Sequence, residues 1–234
     1  MFPLDAMKES KRHPYIVAIE GIDGSGKETQ TELLSHRLKE QGKKVVTKSY
    51  PQYESFAGKE IGMLLSGESA ISADLLDWKS MSLWYALDRW KDFQGMEKNL
   101  ASVDFLLLNR FTLSSVAYQG ARAPDNGGID EWIFHLEHSV FELPQPDLYI
   151  ILDVEVRTAS ENVFKKQARE YISASTQDVY EKDADLQRRV REKYLSWSSR
   201  NPDRCRVIPC QSQNGEMRAL QEIHSDVIAA IPGQ

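Results

Sequence analysis

At 234 residues the chain suits one domain of ordinary size, or one with a small insertion. Hydrophobic residues at 41% and charged residues at 27% exclude wholesale disorder and low-complexity architectures, and no stretch approaches the roughly 20 apolar residues of a membrane span. A net charge of −6 argues against sequence-independent nucleic-acid binding, which needs a basic surface, but not against a local cationic pocket.

Residues 1–14 read as an extension ahead of the domain. Within it Asp5, Lys8, Glu9 and Lys11 leave no apolar segment of the secretory-signal type, so a cytoplasmic location is expected. A short apolar run from Tyr15 to Ile19 follows and reads as a strand. A helix is predicted from Lys27 to about Gln41, with Leu33, Leu34 and Leu38 on one stripe and Gly42 where a helix end favours glycine. Further strands are predicted at Lys44 to Tyr50, Asp104 to Leu108, Leu148 to Leu152 and Arg206 to Ile208, and a closing amphipathic helix at Met217 to Ile231. The strand runs are apolar rather than alternating, as for parallel strands covered on both faces. Alternating strands and helices of this kind predict an α/β fold: a doubly wound, five-stranded parallel sheet in one domain over residues 15–234.

One stretch departs from that compact pattern. From about residue 157 to 181 a helix carrying Lys165, Lys166 and Arg169 loosens into small polar residues. It reads as a basic lid, or equally as a solvated surface helix and its loop. The two cysteines, Cys205 and Cys210, lack Cys or His neighbours at zinc-ligand spacing and are too few to staple the domain. Cys210, after Val207-Ile208-Pro209, reads as buried filler. The histidines show no metal-site spacing.

The most informative segment is E-G-I-D-G-S-G-K-E-T, Glu20 to Thr29, between a predicted strand and a predicted helix. Gly21, Gly24 and Gly26 allow a turn in which backbone N–H groups, that of Ser25 included, face a polyphosphate together with the helix N-terminus. Lys27 adds a point charge. The residue after the lysine is normally Ser or Thr, whose hydroxyl ligates Mg²⁺. Here it is Glu28, and Thr29 lies about 100° further round the helix. Two unit charges about 4 Å apart at an effective dielectric near 20 interact by about 4 kcal/mol. Glu28 therefore repels a bare phosphate and suits a nucleotide only with a divalent ion between them.

Four further segments follow in order: Tyr50-Pro51-Gln52-Tyr53, Tyr85-Ala-Leu-Asp-Arg89-Trp90, Asn109-Arg110-Phe111-Thr-Leu-Ser114-Ser-Val-Ala-Tyr118-Gln119-Gly120, and Asp178-Val-Tyr-Glu181. With the glycine loop they make the chain resemble the thymidylate kinase family of P-loop nucleoside monophosphate kinases, from about Tyr15 to Ile231. The resemblance implies transfer of the γ-phosphoryl of ATP to dTMP, giving dTDP and ADP, with Mg²⁺ as cofactor. It also implies a homodimer, for which the apolar residues around Leu83, Trp84 and Leu87 are candidates, unless they are monomer core.

By the same resemblance Asp23 binds the sugar 3′-hydroxyl, Tyr53 lies near the acceptor phosphate and Arg110 grips it. Tyr85 stacks on the base, Arg89 reaches a base carbonyl, and Ser114 and Gln119 line the base pocket. A planar guanidinium suits a bidentate grip on phosphate, and an aromatic face suits a pyrimidine. Taken singly, Tyr85 and Trp90 read as core packing, and Asp88 with Arg89 as a surface ion pair. Family members carry a basic residue either at the position of Gly24 or in the lid. Glycine here gives that role to Lys165, Lys166 or Arg169, with Arg169 first. The family's aspartate before the arginine is Asn109 in this chain, while a carboxylate appears at Glu28; the two changes are expected to compensate at the metal. A kinase of another pyrimidine nucleotide, or a catalytically silent nucleotide binder, stays open at this point.

Overall fold

The computed structural model describes residues 13–67, 71–124, 128–169, 179–181 and 183–233. Most of the N-terminal extension and the middle of the expected lid, Asp178 included, lie outside the described residues, as do the side chains of Lys166 and Arg169. Among the described residues, β1 (Tyr15–Glu20), β2 (Val45–Ser49), β3 (Phe105–Asn109), β4 (Leu148–Asp153) and β5 (Cys205–Pro209) form one sheet in the order β2-β3-β1-β4-β5. Every pairing is parallel. The helices are α1 (Lys27–Glu40), α2 (Phe56–Ser66), α3 (Trp78–Phe93), α4 (Glu97–Leu100), α5 (Thr112–Arg122), α6 (Ile129–Phe134), α7 (Val156–Arg169), α8 (Ala184–Arg200) and α9 (Leu220–Ala229). A π-helical turn, His135–Val140, continues α6.

Apolar continuity explains the inner strands. Val17, Ala18 and Ile19 of β1, Leu106, Leu107 and Leu108 of β3, and Ile150, Ile151 and Leu152 of β4 are all buried. The expectation of two covered faces fails at the edges. On β2, Val45 and Val46 are half-buried and Thr47 is exposed, because that strand has a neighbour on one side only. α1 ends where Gly42 takes φ +77 and Lys43 N–H donates to the Leu38 carbonyl at 3.1 Å, a left-handed stop that glycine adopts without strain. The closing helix starts three residues later than predicted, since Met217 instead bridges to Gln211.

α1 and α9 pack on one another, while α5 packs against α3, α6 and α8. Neither α2 nor α8 was anticipated from the sequence. α8 opens at Asp183, whose carboxylate accepts from Leu186 N–H at 2.9 Å, and buries Leu186, Val190, Tyr194 and Trp197. Both cysteines are buried free thiols. The glycine loop leaves the C-terminal end of β1, Asn109-Arg110 leaves that of β3, and Asp153 closes β4. In parallel sheets ligands bind at this edge, where the chain leaves adjacent strands in opposite directions.

Candidate active site

Gly24 has φ +79, and a Cβ there would stand 2.1 Å from the Ala159 carbonyl oxygen of α7. Only glycine fits so close an approach. Asn162 of α7 donates from Nδ2 to the Gly24 carbonyl at 3.1 Å, so the basic helix rests on the loop. Lys27 curls back, its Nζ donating to the Ile22 carbonyl at 2.7 Å. Burial first, then the Arg110 guanidinium, lowers its pKa from 10.5 to about 7, against the opposing pull of Asp23 and Glu20. Glu28 and Thr29 are exposed in the first turn of α1.

Glu20, the last residue of β1, is fully buried and organises the turn after β3. Its Oε1 accepts from Phe111 N–H at 2.8 Å, and its Oε2 accepts from the Ser114 hydroxyl at 2.5 Å and the Tyr194 hydroxyl at 3.0 Å. Burial raises its pKa, and the hydrogen bonds offset part of that rise. Between these anchors Arg110 is held at φ +63, while its N–H donates to the Ile19 carbonyl at 3.0 Å. A left-handed residue with a side chain costs about 1–3 kcal/mol, so the surrounding bonds must outweigh it.

That backbone aims the Arg110 guanidinium across the loop. Nη2 forms a short ion pair with Asp23, and the guanidinium lies 5.2 Å from the Tyr118 ring centroid. Asp23 also accepts from the Tyr118 hydroxyl at 2.7 Å and from Gln187 Nε2 at 3.0 Å. Burial opposes ionisation of Asp23, but Arg110, then Lys27 and these two hydrogen bonds, hold its carboxyl below the usual range. Tyr118, Gln187, Glu20 and Tyr194 are site residues that sequence reasoning missed. Gln187 and Tyr194 carry a weak signal, one helical face at i and i+7 beside the apolar Leu186 and Val190.

Beside this cluster lies a cavity lined by Tyr50, Tyr53, Tyr85, Arg89, Ser115 and Gln119, among others. Asp23, Arg110 and Ser114 line it as well, so the structure brings the expected acceptor-site residues together around one cavity. Tyr53 is about half exposed, with its ring over Gly62. The Ser114 hydroxyl is committed to Glu20 and Tyr194, which makes it a support for the turn.

The surface-pair reading of Asp88 and Arg89 is overturned, since both are buried and neither binds the other. Asp88 accepts from Gln52 N–H at 2.8 Å and the Ser55 hydroxyl at 2.6 Å, fixing the turn that carries Tyr53. Arg89 donates from Nε and Nη2 to both oxygens of Glu137, at 2.8 and 2.5 Å, and from Nη2 to the Ser115 hydroxyl at 2.6 Å. Glu137 sits in the π-helical turn, a local defect frequent at functional sites. Trp90 packs on Phe141, as the core reading had it, whereas Tyr85 faces the cavity.

Asn109, at the end of β3, donates from Nδ2 to the Ser49 hydroxyl at 3.0 Å, while its Oδ1 is buried without a hydrogen-bond partner. An orphaned oxygen beside the loop is a suitable acceptor for metal-bound water. No group of three or more His, Cys, Asp or Glu able to hold a metal exists among the described residues. The exposed Lys165 lies on α7.

A glycine loop for polyphosphate and a cavity walled by aromatics and arginines, joined by Arg110, is the layout of P-loop phosphotransferases acting on nucleotides. A family model for thymidylate kinase matches residues 19–220, and the chain belongs to that family. It is 30% identical over 219 residues to a probable thymidylate kinase of Pyrococcus horikoshii, covering 93% of this chain and 95% of that one. It is 32% identical over 178 residues to the thymidylate kinase of Mycobacterium tuberculosis, covering 75% and 81%. Among solved structures, thymidylate kinase from Candida albicans superposes with a TM-score of 0.69 at 20% identity, over 93% of this chain and 90% of that one. The enzyme from Ehrlichia chaffeensis does so with a TM-score of 0.64 at 25% identity, over 93% and 98%.

Proposed function

We propose that the protein transfers the γ-phosphoryl of ATP to dTMP, producing dTDP and ADP. The observation that carries this reading is the Arg110–Asp23 pair between Lys27 and the cavity. ATP phosphates bind the loop and the first turn of α1 at Gly21, Gly24, Ser25, Gly26, Glu28 and Thr29, together with the ammonium of Lys27. The acceptor phosphate draws Arg110 away from Asp23, which frees that carboxylate for the sugar hydroxyl. The base stacks on Tyr85 within reach of Arg89 and Gln119, and Tyr53 lies beside the phosphate. Phosphoryl transfer is mostly positioning and charge stabilisation. A lid cation, Arg169 first among Lys165, Lys166 and Arg169, supplies positive charge as α7 seats on the loop.

Mg²⁺ would be held chiefly by the nucleotide phosphates, since it binds through few protein carboxylates and keeps several waters. Glu28 and Asn109 are the residues assigned to face it. Its chemistry there is neutralisation of charge on the phosphates. No helix of the described residues is long and apolar enough to cross a membrane, and a cytoplasmic enzyme is proposed. A homodimer through the α3 surface, where Leu83 is 46% exposed, is proposed with it.

The test is ATP turnover with dTMP across a Mg²⁺ titration, with dUMP, dCMP and UMP as controls. Metal-dependent dTDP formation, faster than any control reaction, is expected. Nucleotide binding without turnover at any metal concentration would overturn the proposal.

A further inference from the structure

Gln119 is completely buried on α5 and lines the base cavity. One helical turn on, Arg122 donates from Nη1 to Gln119 Oε1 at 2.6 Å. A guanidinium has five donors and no acceptor, so only the carbonyl end of the amide can face it. The NH₂ end must therefore face the other way. Gln119 Nε2 is buried and has no hydrogen-bond partner. An unmade bond at a buried donor is costly, which points to an acceptor carried by the ligand.

Arg122 is itself held from three sides. Its Nη2 donates to the Ala73 carbonyl at 2.6 Å and to the Leu76 carbonyl, and its guanidinium lies 5.0 Å from the Tyr180 ring centroid. It lines a separate, wider cleft of about 320 Å³ with Trp78 and Arg189, and that cleft shares only Tyr180 with the base cavity. Arg122 thus acts through the wall and does not itself line the base cavity. So clamped, it leaves the Gln119 amide one orientation.

We infer that Arg122 is a positioning residue for base selection: it locks Gln119 so that an N–H donor meets the pyrimidine 4-position, favouring a carbonyl there over an amino group. The inference rests on the proposed pyrimidine monophosphate kinase reading. With sugar and phosphate at Asp23 and Arg110, the ring's 4-position, opposite the glycosidic nitrogen, reaches the deepest wall. Gln119, Arg89 and Ser115 form that wall, each exposed by 3% or less. Arg89 offers donors only, and the Ser115 hydroxyl, already accepting from Arg89, has its proton left to donate. A 4-amino group would set donor against donor.

The experiment compares kcat/KM for dTMP and dCMP in the wild type, Arg122→Met, Arg122→Lys and Gln119→Glu. In Arg122→Met the amide is free to turn, and the dTMP-to-dCMP ratio is expected to fall about tenfold, mainly through a higher KM for dTMP. Arg122→Lys, which keeps a donor, restores most of the ratio. Gln119→Glu keeps the partner of Arg122 but has no donor, and lowers the ratio even if Arg122→Met fails to fold. A ratio within about twofold of wild type in a folded Arg122→Met overturns the inference, as does a ratio unchanged in Gln119→Glu when Arg122→Met does not fold. If the wild type turns over no pyrimidine monophosphate, the functional reading fails separately. Equilibrium affinities of the same variants for dTMP and dCMP then decide this one, an unchanged ratio overturning it.

Discussion

Lys27 is held with its ammonium turned onto the Ile22 carbonyl and its pKa brought to about 7 by burial and by Arg110. A polyphosphate seated on the loop reverses that balance, because a nearby anion favours the charged lysine. Between pH 7 and 10.5 the free protein carries less than a full proton on Lys27 and the complex carries more. Nucleotide binding at pH 8 is therefore expected to take up close to one proton, and affinity to fall with rising pH by up to about tenfold per unit. Calorimetry in buffers of different ionisation enthalpy measures the uptake. Its absence would mean that Lys27 is already charged in the free protein.

Glu28 and Asn109 pose a second question at the same scale. If the metal-facing carboxylate has moved from the end of β3 to α1, Glu28→Thr should weaken Mg²⁺ activation, raising the metal concentration for half-maximal rate. The double variant with Asn109→Asp should bring it back. An unaltered or lower metal requirement in Glu28→Thr would show that the two positions do not compensate.

The turn between β3 and α5 has its strongest support in another element, since Glu20 at the tip of β1 and Tyr194 of α8 hold it from below. Replacing the carboxylate by an amide puts a donor against one of the groups that now donates to Glu20. Glu20→Gln should cost about 1–3 kcal/mol in urea unfolding. It should also raise the KM for dTMP, by loosening the backbone that aims Arg110. Loss of stability without any change in KM would confine Glu20 to the core.

The same elements show what the chain made legible. Val17 to Ile19, Leu106 to Leu108 and Ile150 to Leu152 announced buried parallel strands because water exclusion on both faces demands unbroken apolar runs. The glycine loop was equally plain, since its backbone chemistry is local. Glu20 was not, because a carboxylate at a strand end looks like the start of a loop until its three donors are assembled from Phe111, Ser114 and Tyr194. α8 was missed for a related reason: Gln187 and Tyr194 are interleaved with Arg188, Arg189 and Glu192, as on any solvated helix. Only packing against α5 turns that face inward. Asp88 and Arg89 misled in the opposite direction, their partners Ser55 and Glu137 lying more than thirty residues away.

Across the whole molecule, the phosphate loop and the basic helix α7 meet at a residue without a side chain. The missing Cβ of Gly24 is a clearance, and the Ala159 carbonyl fills it. A methyl group at position 24 would act as a doorstop, holding α7 ajar by the thickness of one carbon. Gly24→Ala is thus expected to slow phosphoryl transfer more than tenfold, yet to raise the fraction of ATP lost to water, because an unseated α7 admits solvent. Comparing ADP with dTDP released during turnover reads that fraction directly, and a proportional fall in both would dismiss the doorstop. By this view the smallest residue in the loop sets the tolerance to which the enzyme shuts, and so how much ATP each dTDP consumes.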